Sequence, residues 1–351
     1  MSKHLFGLIV TPYGAAANNR GENEGNITTL QKLLWKSEVC TTVSAEAIRW
    51  ALRYYWQKKN GDGAVNRRWN EETADHEWQD RTWAPWTSKD EEVRKQDTFI
   101  DDDVMGFMLA EAANTDGNDV LDNFKKDKKA ADDLFKSLSK DEQKSDRGKA
   151  LKQQSKELAD KIKVMSEGKT DKRRGALEVT RAISLSPFAG DITFNAKSGK
   201  KTNTSLYGTE AHATRYQYGI AITPESLREP ARVIDVVDAV IGLCEVAGNQ
   251  SRFLYDFAPE SVVFRWTDDF APRMLYGFEM DDESNLSFPA ILQKVKAGDI
   301  NADELIIGGT ISELLNGANE VLKGAFISPG VKAAANELKT RIKRDLQLAG
   351  A

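Results

Sequence analysis

Cysteine is nearly absent from this sequence. Cys40 and Cys244 are the only two in 351 residues, too few for a disulfide framework and not in a CxxC pair. Histidine is almost as rare. His4, His76 and His212 stand outside any HExxH or CxxC spacing, so no metal site with a recognised ligand pattern can be assembled. Neither a Walker-type sequence nor a GxGxxG turn occurs, which excludes the common phosphate-loop signatures. Long apolar runs are missing too. Nothing approaches the ~20 residues of a membrane-spanning helix, and the stretch from Leu5 to Val10 is too short for a signal-peptide core. The expectation is a cytoplasmic protein with reduced thiols, with no catalytic residue, cofactor or metal assigned.

What is present is charge, unevenly placed. Lys125 to Arg174 holds 17 Lys and Arg against 10 Asp and Glu, a local excess of +7. The whole chain totals −5, so the remainder carries −12. Such asymmetry points to a polyanion partner or to charge-complementary self-association. A solvated, Lys-rich helical hairpin would have the same composition. An acidic total does not exclude nucleic acid, because a basic groove is a local property.

The length allows one large core or two ordinary ones. Leu5-Phe6-Gly7-Leu8-Ile9-Val10 reads as a central strand buried on both faces. The Asn- and Gly-rich stretch 18–26 that follows reads as a loop able to approach a phosphodiester closely, or as a plain turn. Residues 44–58 predict a helix capped by Ser44, with Ile48, Ala51, Leu52 and Tyr55 as its apolar stripe. Arg49, Arg53 and Gln57 fall on another face, and Gly61-Asp62-Gly63 ends the element. From there to about residue 100, Trp69, Trp78, Trp83 and Trp86 alternate with charges without a period. They predict an irregular insertion whose aromatics pack locally. Residues 120–171 predict one or two exposed helices.

Alternation predicts strands at 176–185, 191–195, 216–222 and 261–266. Val233, Val237, Val240, Ile241 and Cys244 predict a helix over 231–246, stopped by Gly248. The last forty residues read as mostly helical. The order strand, helix, strand, strand, helix, strand is the split βαβ pattern of an α+β, ferredoxin-like or RRM-like fold.

Four local groups suit a phosphate-bearing ligand. The loop 18–26 lies near Ser44 and Arg49 at a helix N-terminus, where free N–H groups favour an anion, and Arg53 follows one turn on. Lys172, Arg173 and Arg174 precede Gly175, which leaves room for a sugar-phosphate backbone. Between 197 and 218, Lys200, Lys201, His212 and Arg215 interleave with Tyr207 and Tyr216, a pattern suited to single strands or equally to a surface hairpin. Asn249, Gln250 and Arg252 place amide and guanidinium donors after the second helix. Asp101-Asp102-Asp103 could hold Mg²⁺ or simply start a helix in a solvated turn.

Taken together, "NNRGENEGN", "SAEAIRWALR", "DDDVMGFM", "KRRGALEVTRAISLSPF", "TSLYGTEAHATRYQY" and "GNQSRFLYDFAPESVVFR" occur in an order that resembles the DevR-type backbone subunit of type I CRISPR Cascade effector complexes. The resemblance runs from about residue 4 to 267. It implies an RRM-like palm (1–58, 172–189 and 217–308), helical fingers (59–171), a thumb hairpin loop (190–216) and a C-terminal helical segment (309–351). It further implies a subunit without an active site that polymerises head to tail along CRISPR RNA and supports pairing with target DNA. Its other partners would be the large subunit, the 5′-handle-capping subunit and the processing endoribonuclease.

Asn23, Asn26, Ser44, Arg49, Arg173, Arg174, Asn249 and Arg252 would lie near the RNA, and the thumb would meet the guide–target duplex. The Trp-rich insertion at 62–100 has no role on this mapping. Two alternatives stand beside it. One is a metal-dependent ribonuclease using Asp101–Asp103 or Glu22 and Glu24; the other is a free-standing RRM-like regulator that binds single-stranded RNA.

Overall fold

A computed structural model describes residues 2–17, 20–110, 119–139, 142–166, 170–196, 206–248, 254–315 and 320–348. The chain is an α+β protein. Strand His4–Val10 sends alternate side chains into two cores: Leu5 and Ile9 into one, Phe6, Leu8 and Val10 into the other. That alternation is why the run from Leu5 carries no polar residue. Both of its edges are hydrogen-bonded antiparallel, to Tyr216–Ile222 on one side and Ser261–Thr267 on the other. Gly7 is required by packing, since a Cβ there would come within 2.8 Å of the Ile220 side chain.

Among the described residues the largest sheet has nine strands. Their order is Phe326–Ser328, Leu305–Gly309, Ser261–Thr267, His4–Val10, Tyr216–Ile222, Ala182–Ser184, Glu38–Val43 and Lys32–Trp35, with Leu177–Val179 also pairing Tyr216–Ile222. The expected strand over 176–185 is therefore two. Thr180 interrupts it: its N–H donates to the Gly219 carbonyl (2.9 Å) while its hydroxyl accepts from the Gly219 N–H (2.8 Å). Strands Ile27–Leu30, Lys32–Trp35, Glu38–Val43, Leu305–Gly309 and Phe326–Ser328 were not expected from the sequence. They are short, and their apolar positions do not alternate cleanly.

Helices Ala45–Asn60, Arg232–Ile241 and Val331–Asp345 cover one face of the sheet. Met274, Phe278, Phe288, Ile291, Ile300 and Ile311 cover the other. Ser44 caps the first helix by accepting from the Ala47 N–H at 3.2 Å, Glu46 sits in its first turn and Lys58 and Lys59 in its last, and Gly61 ends it at φ +86°. Its buried stripe is Ile48, Ala51, Leu52 and Trp56; Tyr55 is only half-buried. The second helix stops at Gly242, not near Gly248. A Cβ on Gly242 would lie 2.5 Å from the Tyr55 ring, so this glycine is set by helix packing. Cys244 then lies beyond the helix and is exposed.

The chain divides into two compact units, one of residues 1–81, 95–106 and 175–351, the other of 82–94 and 107–174. The second is smaller than the 59–171 insertion expected from the sequence. Within it, helices Asp119–Ser137 and Asp146–Ser166 pack together, with Ala131 and Leu158 buried. Trp83 stacks on Phe107 with ring centroids 4.8 Å apart, and strand Gly106–Ala110 pairs with Thr170–Arg174. Trp69 and Trp78 belong to the larger unit, on a regular hairpin, Arg67–Asn70 with Asp75–Trp78. The expectation of one irregular aromatic insertion is thus corrected. Of its four tryptophans, two lie in each unit.

Candidate nucleic-acid interface

Arg49 and Arg53 lie one turn apart on helix Ala45–Asn60. Arg49 reaches two carbonyls, donating from Nη2 to Met105 (2.6 Å) and from Nη1 to Leu177 (3.5 Å). Burial, then the neighbouring Arg53, holds its guanidinium below the ordinary value. Arg53 donates from Nε to Asp101 at 3.0 Å. Gly175 stands against this same region. A Cβ there would be 2.4 Å from the Met105 carbonyl oxygen, so the glycine admits the protein's own backbone. The expectation that it leaves room for a sugar-phosphate chain is corrected.

In the smaller unit, strand alternation separates Lys172 and Arg174, both exposed, from Arg173, whose guanidinium lies 4.1 Å above the Trp86 ring. The Asn-rich stretch is not a loop at the exit of the first strand. Arg20–Glu24 is a strand turning at Gly25 (φ +63°) into Ile27–Leu30, and both extend the hairpin Ile192–Ala196/Leu206–Glu210 into a four-stranded sheet. Asn23 and Asn26 are on this hairpin, with Asn23 accepting from the Thr28 hydroxyl at 3.0 Å. Lys200, Lys201, Asn249, Gln250 and Arg252 lie outside the described residues.

His212, Arg215 and Tyr216 do not form a duplex-contacting surface. His212 is buried, its Nδ1 2.7 Å from the Thr41 hydroxyl and its Nε2 3.1 Å from the Pro187 carbonyl. Burial keeps the imidazole below its usual pKa. Tyr216 is buried as well, its hydroxyl 2.8 Å from Thr41 and its pKa pushed up to about 12 by desolvation. Arg215 forks onto Glu260 at 2.7 and 3.2 Å. All three are committed to internal partners, which composition alone did not reveal.

The aspartates at 101–103 are the largest departure from the sequence reading. They do begin a short helix, Ile100–Met105, but all three are buried rather than solvated. Asp101 accepts from Arg53 Nε and from the backbone N–H groups of Asn66 (2.7 Å) and Arg67 (3.1 Å). Asp102 accepts from the Asn66 amide at 3.0 Å. Asp103 takes the N–H groups of Arg228 and Glu229 and Arg232 Nη1 at 2.8 Å. These lone pairs serve the fold, so a Mg²⁺ ion would have to displace the donors. Among the described residues no group of three or more His, Cys, Asp or Glu is placed to hold a metal ion.

No protein-family model matches the chain. A protein of Myxococcus xanthus (strain DK1622) described as "CRISPR-associated protein Cas7/Cst2/DevR" is 42% identical over 353 residues, covering 98% of this chain and 99% of that one. The chain belongs to the Cas7/Cst2/DevR family. Solved structures described as "CRISPR RNA-guided surveillance complex" and "CRISPR RNA-guided surveillance complex, pre-nicking" align over 97% of the chain and 99% and 100% of theirs. Their TM-scores are 0.47 and 0.49 at 11% and 10% identity, values at which the likeness carries no argument. Membership in the Cas7/Cst2/DevR family rests on sequence. Among the described residues no helix is long and apolar enough to cross a membrane.

Proposed function

We propose that this Cas7/Cst2/DevR protein binds CRISPR RNA as a backbone subunit of a type I Cascade-like surveillance complex, working in the cytoplasm. The single observation that carries the reading is the 42% identity along 98% of the chain. The palm is ferredoxin-like. In support, the strands at 4–10, 177–184, 216–222 and 261–267 stand in spatial order fourth, first, third, second, every neighbour antiparallel. Because side chains between 274 and 311 cover the sheet face away from the helices, bases cannot stack there.

RNA is instead held by phosphate contacts at the periphery. Asn23, Asn26, Ser44, Arg49, Arg53, Lys172, Arg173, Arg174, Asn249, Gln250 and Arg252 are the proposed contacts, with the 190–216 hairpin and its Lys200 and Lys201 as the thumb. Phosphate contacts position a strand without reading bases, so binding is independent of guide sequence and target DNA is read by pairing. Further copies of the chain add head to tail, a heterologous interface that does not close and so yields a helix. The large subunit, the 5′-handle-capping subunit and the processing endoribonuclease complete the complex.

The subunit is proposed to be non-catalytic. The ribonuclease alternative loses its Asp101–Asp103 candidates to the hydrogen bonds described above. Mixing the protein with guide-length RNA and sizing the product tests the assignment. Assembly in multiples of the protomer along RNA of any sequence, with the RNA intact in Mg²⁺, is the expected result. Monomers on long RNA, or metal-dependent cleavage, would overturn it.

A further inference from the structure

The Trp-rich hairpin is held rigidly on helix Ala45–Asn60. Gln57 exchanges two hydrogen bonds with the Trp69 backbone, both 2.8 Å. Trp50 donates from its indole to His76 Nε2 at 3.1 Å and packs edge-on to Trp69. Register pairs Arg67 with Trp78 and Trp69 with His76, which puts these four on one hairpin face. The opposite face is self-contained: Arg68 is paired with Glu77 at 2.6 Å, and Asn70 donates to the same carboxylate.

Arg53 and Arg67 come together on the helix-facing side at Asp101. Asp101 is taken by Arg53 Nε and by the backbone N–H groups of Asn66 and Arg67, so the Arg67 guanidinium itself has no hydrogen bond to it. Arg49 is satisfied by carbonyls, which carry no net charge. The Arg67 guanidinium lies 5.4 Å from the Trp78 ring centroid, makes no ion pair among the described residues, and leaves Nε without a hydrogen-bond partner. His76 Nδ1 likewise has none. Burial and then Arg53 depress Arg67; burial, Arg67 and Arg53 depress His76, so the groups sense one another as like charges. A guanidinium resting on a tryptophan beside a second arginine, with no ion pair of its own among the described residues, has the donors and the charge to take a phosphate.

We propose that Arg67, presented on Trp78 beside Arg53, contacts a phosphodiester of the bound RNA strand, and that delivering this cation is the role of the hairpin Arg67–Trp78. The proposal rests on the RNA-binding reading and adds a residue to it.

The experiment is single-stranded RNA binding across a salt series for the unaltered protein, Arg67→Gln and Arg68→Gln. Arg67→Gln is expected to bind several-fold more weakly, with a slope of log K against log salt smaller by about 0.7, the loss of one phosphate contact. Arg68→Gln, on the other face, should match the unaltered protein. A purely structural cation–π role would shift the melting temperature of Arg67→Gln and leave the slope alone, overturning the proposal. Arginine modification by phenylglyoxal on the unaltered protein avoids any folding defect. RNA should protect Arg67 and not Arg68, and equal reactivity of Arg67 with and without RNA would also overturn it. If the unaltered protein bound no RNA, the RNA reading itself would fall.

Discussion

The two compact units are both rich in charge, and a buried pair in one contrasts with a surface pair in the other. In the larger, Asp103 is fully buried and meets Arg232, a partner 129 residues away in sequence. In the smaller, Lys128 meets Asp132 one helical turn on, at the surface. Buried charge with a distant partner specifies how segments come together; exposed charge with a local partner contributes little to stability and is available to a polyanion. Each unit also sets an arginine on a tryptophan, Arg67 on Trp78 in the larger and Arg173 on Trp86 in the smaller.

The sharpest way to break this contrast is Asp103→Ala. It leaves the buried Arg232 with only the more exposed Glu229 carboxylate and two N–H groups without an acceptor, a loss of about 3–5 kcal/mol. Urea unfolding should show a large fall in midpoint, and a near-unchanged midpoint would contradict the structural role. Next comes Gly175→Ala. Its Cβ would sit 2.4 Å from the Met105 carbonyl oxygen, which must move and drag the Arg49 contact with it. About 1–3 kcal/mol of destabilisation is expected.

His212 gives a smaller, pH-dependent effect. Its folded pKa is lowered by burial, so the unfolded chain takes up the proton first. Stability is full above about pH 6.5, the unfolded value, and falls as pH drops through the folded one. The melting temperature of the unaltered protein should therefore decline from pH 7 to pH 5. His212→Gln should flatten part of that decline, since half-buried His76, lowered for the same first reason, keeps the rest. Lys128→Ala is expected to change the melting temperature by no more than measurement error while weakening RNA binding slightly.

Much of the frame was legible because its signals are local. The run Leu5 to Val10, the Ser44-capped helix and the strand Tyr216–Ile222 each carry their period in consecutive residues, and the structure places them as expected. The failures share one cause. Asp101, Asp103, His212 and Tyr216 look like surface chemistry in sequence and become interior because of partners far along the chain: Arg53, Arg232 and Thr41. Gly175 was read as room for a sugar-phosphate backbone and Gly248 as the stop of the second helix, yet Gly175 makes room for the Met105 carbonyl and the helix stops at Gly242, packed against Tyr55. The hairpin at 67–78 alternates, but its period was hidden by charges on both faces and by the unrelated Trp83 and Trp86. Of the candidate site, the cations of the helix and of strand Thr170–Arg174 were visible; Arg67 was not, because only the fold sets it beside Arg53.

On the proposed function, this protein grips RNA through phosphates at basic clusters and not through bases. Affinity for single-stranded RNAs of unrelated sequence, measured from about 50 to 200 mM salt, tests it most directly. Near-equal affinities are expected, with a steep linear fall of log K with log salt that is shallower by about 0.7 for each of Arg49→Gln and Arg173→Gln. Affinity that depends strongly on base sequence and little on salt would contradict it.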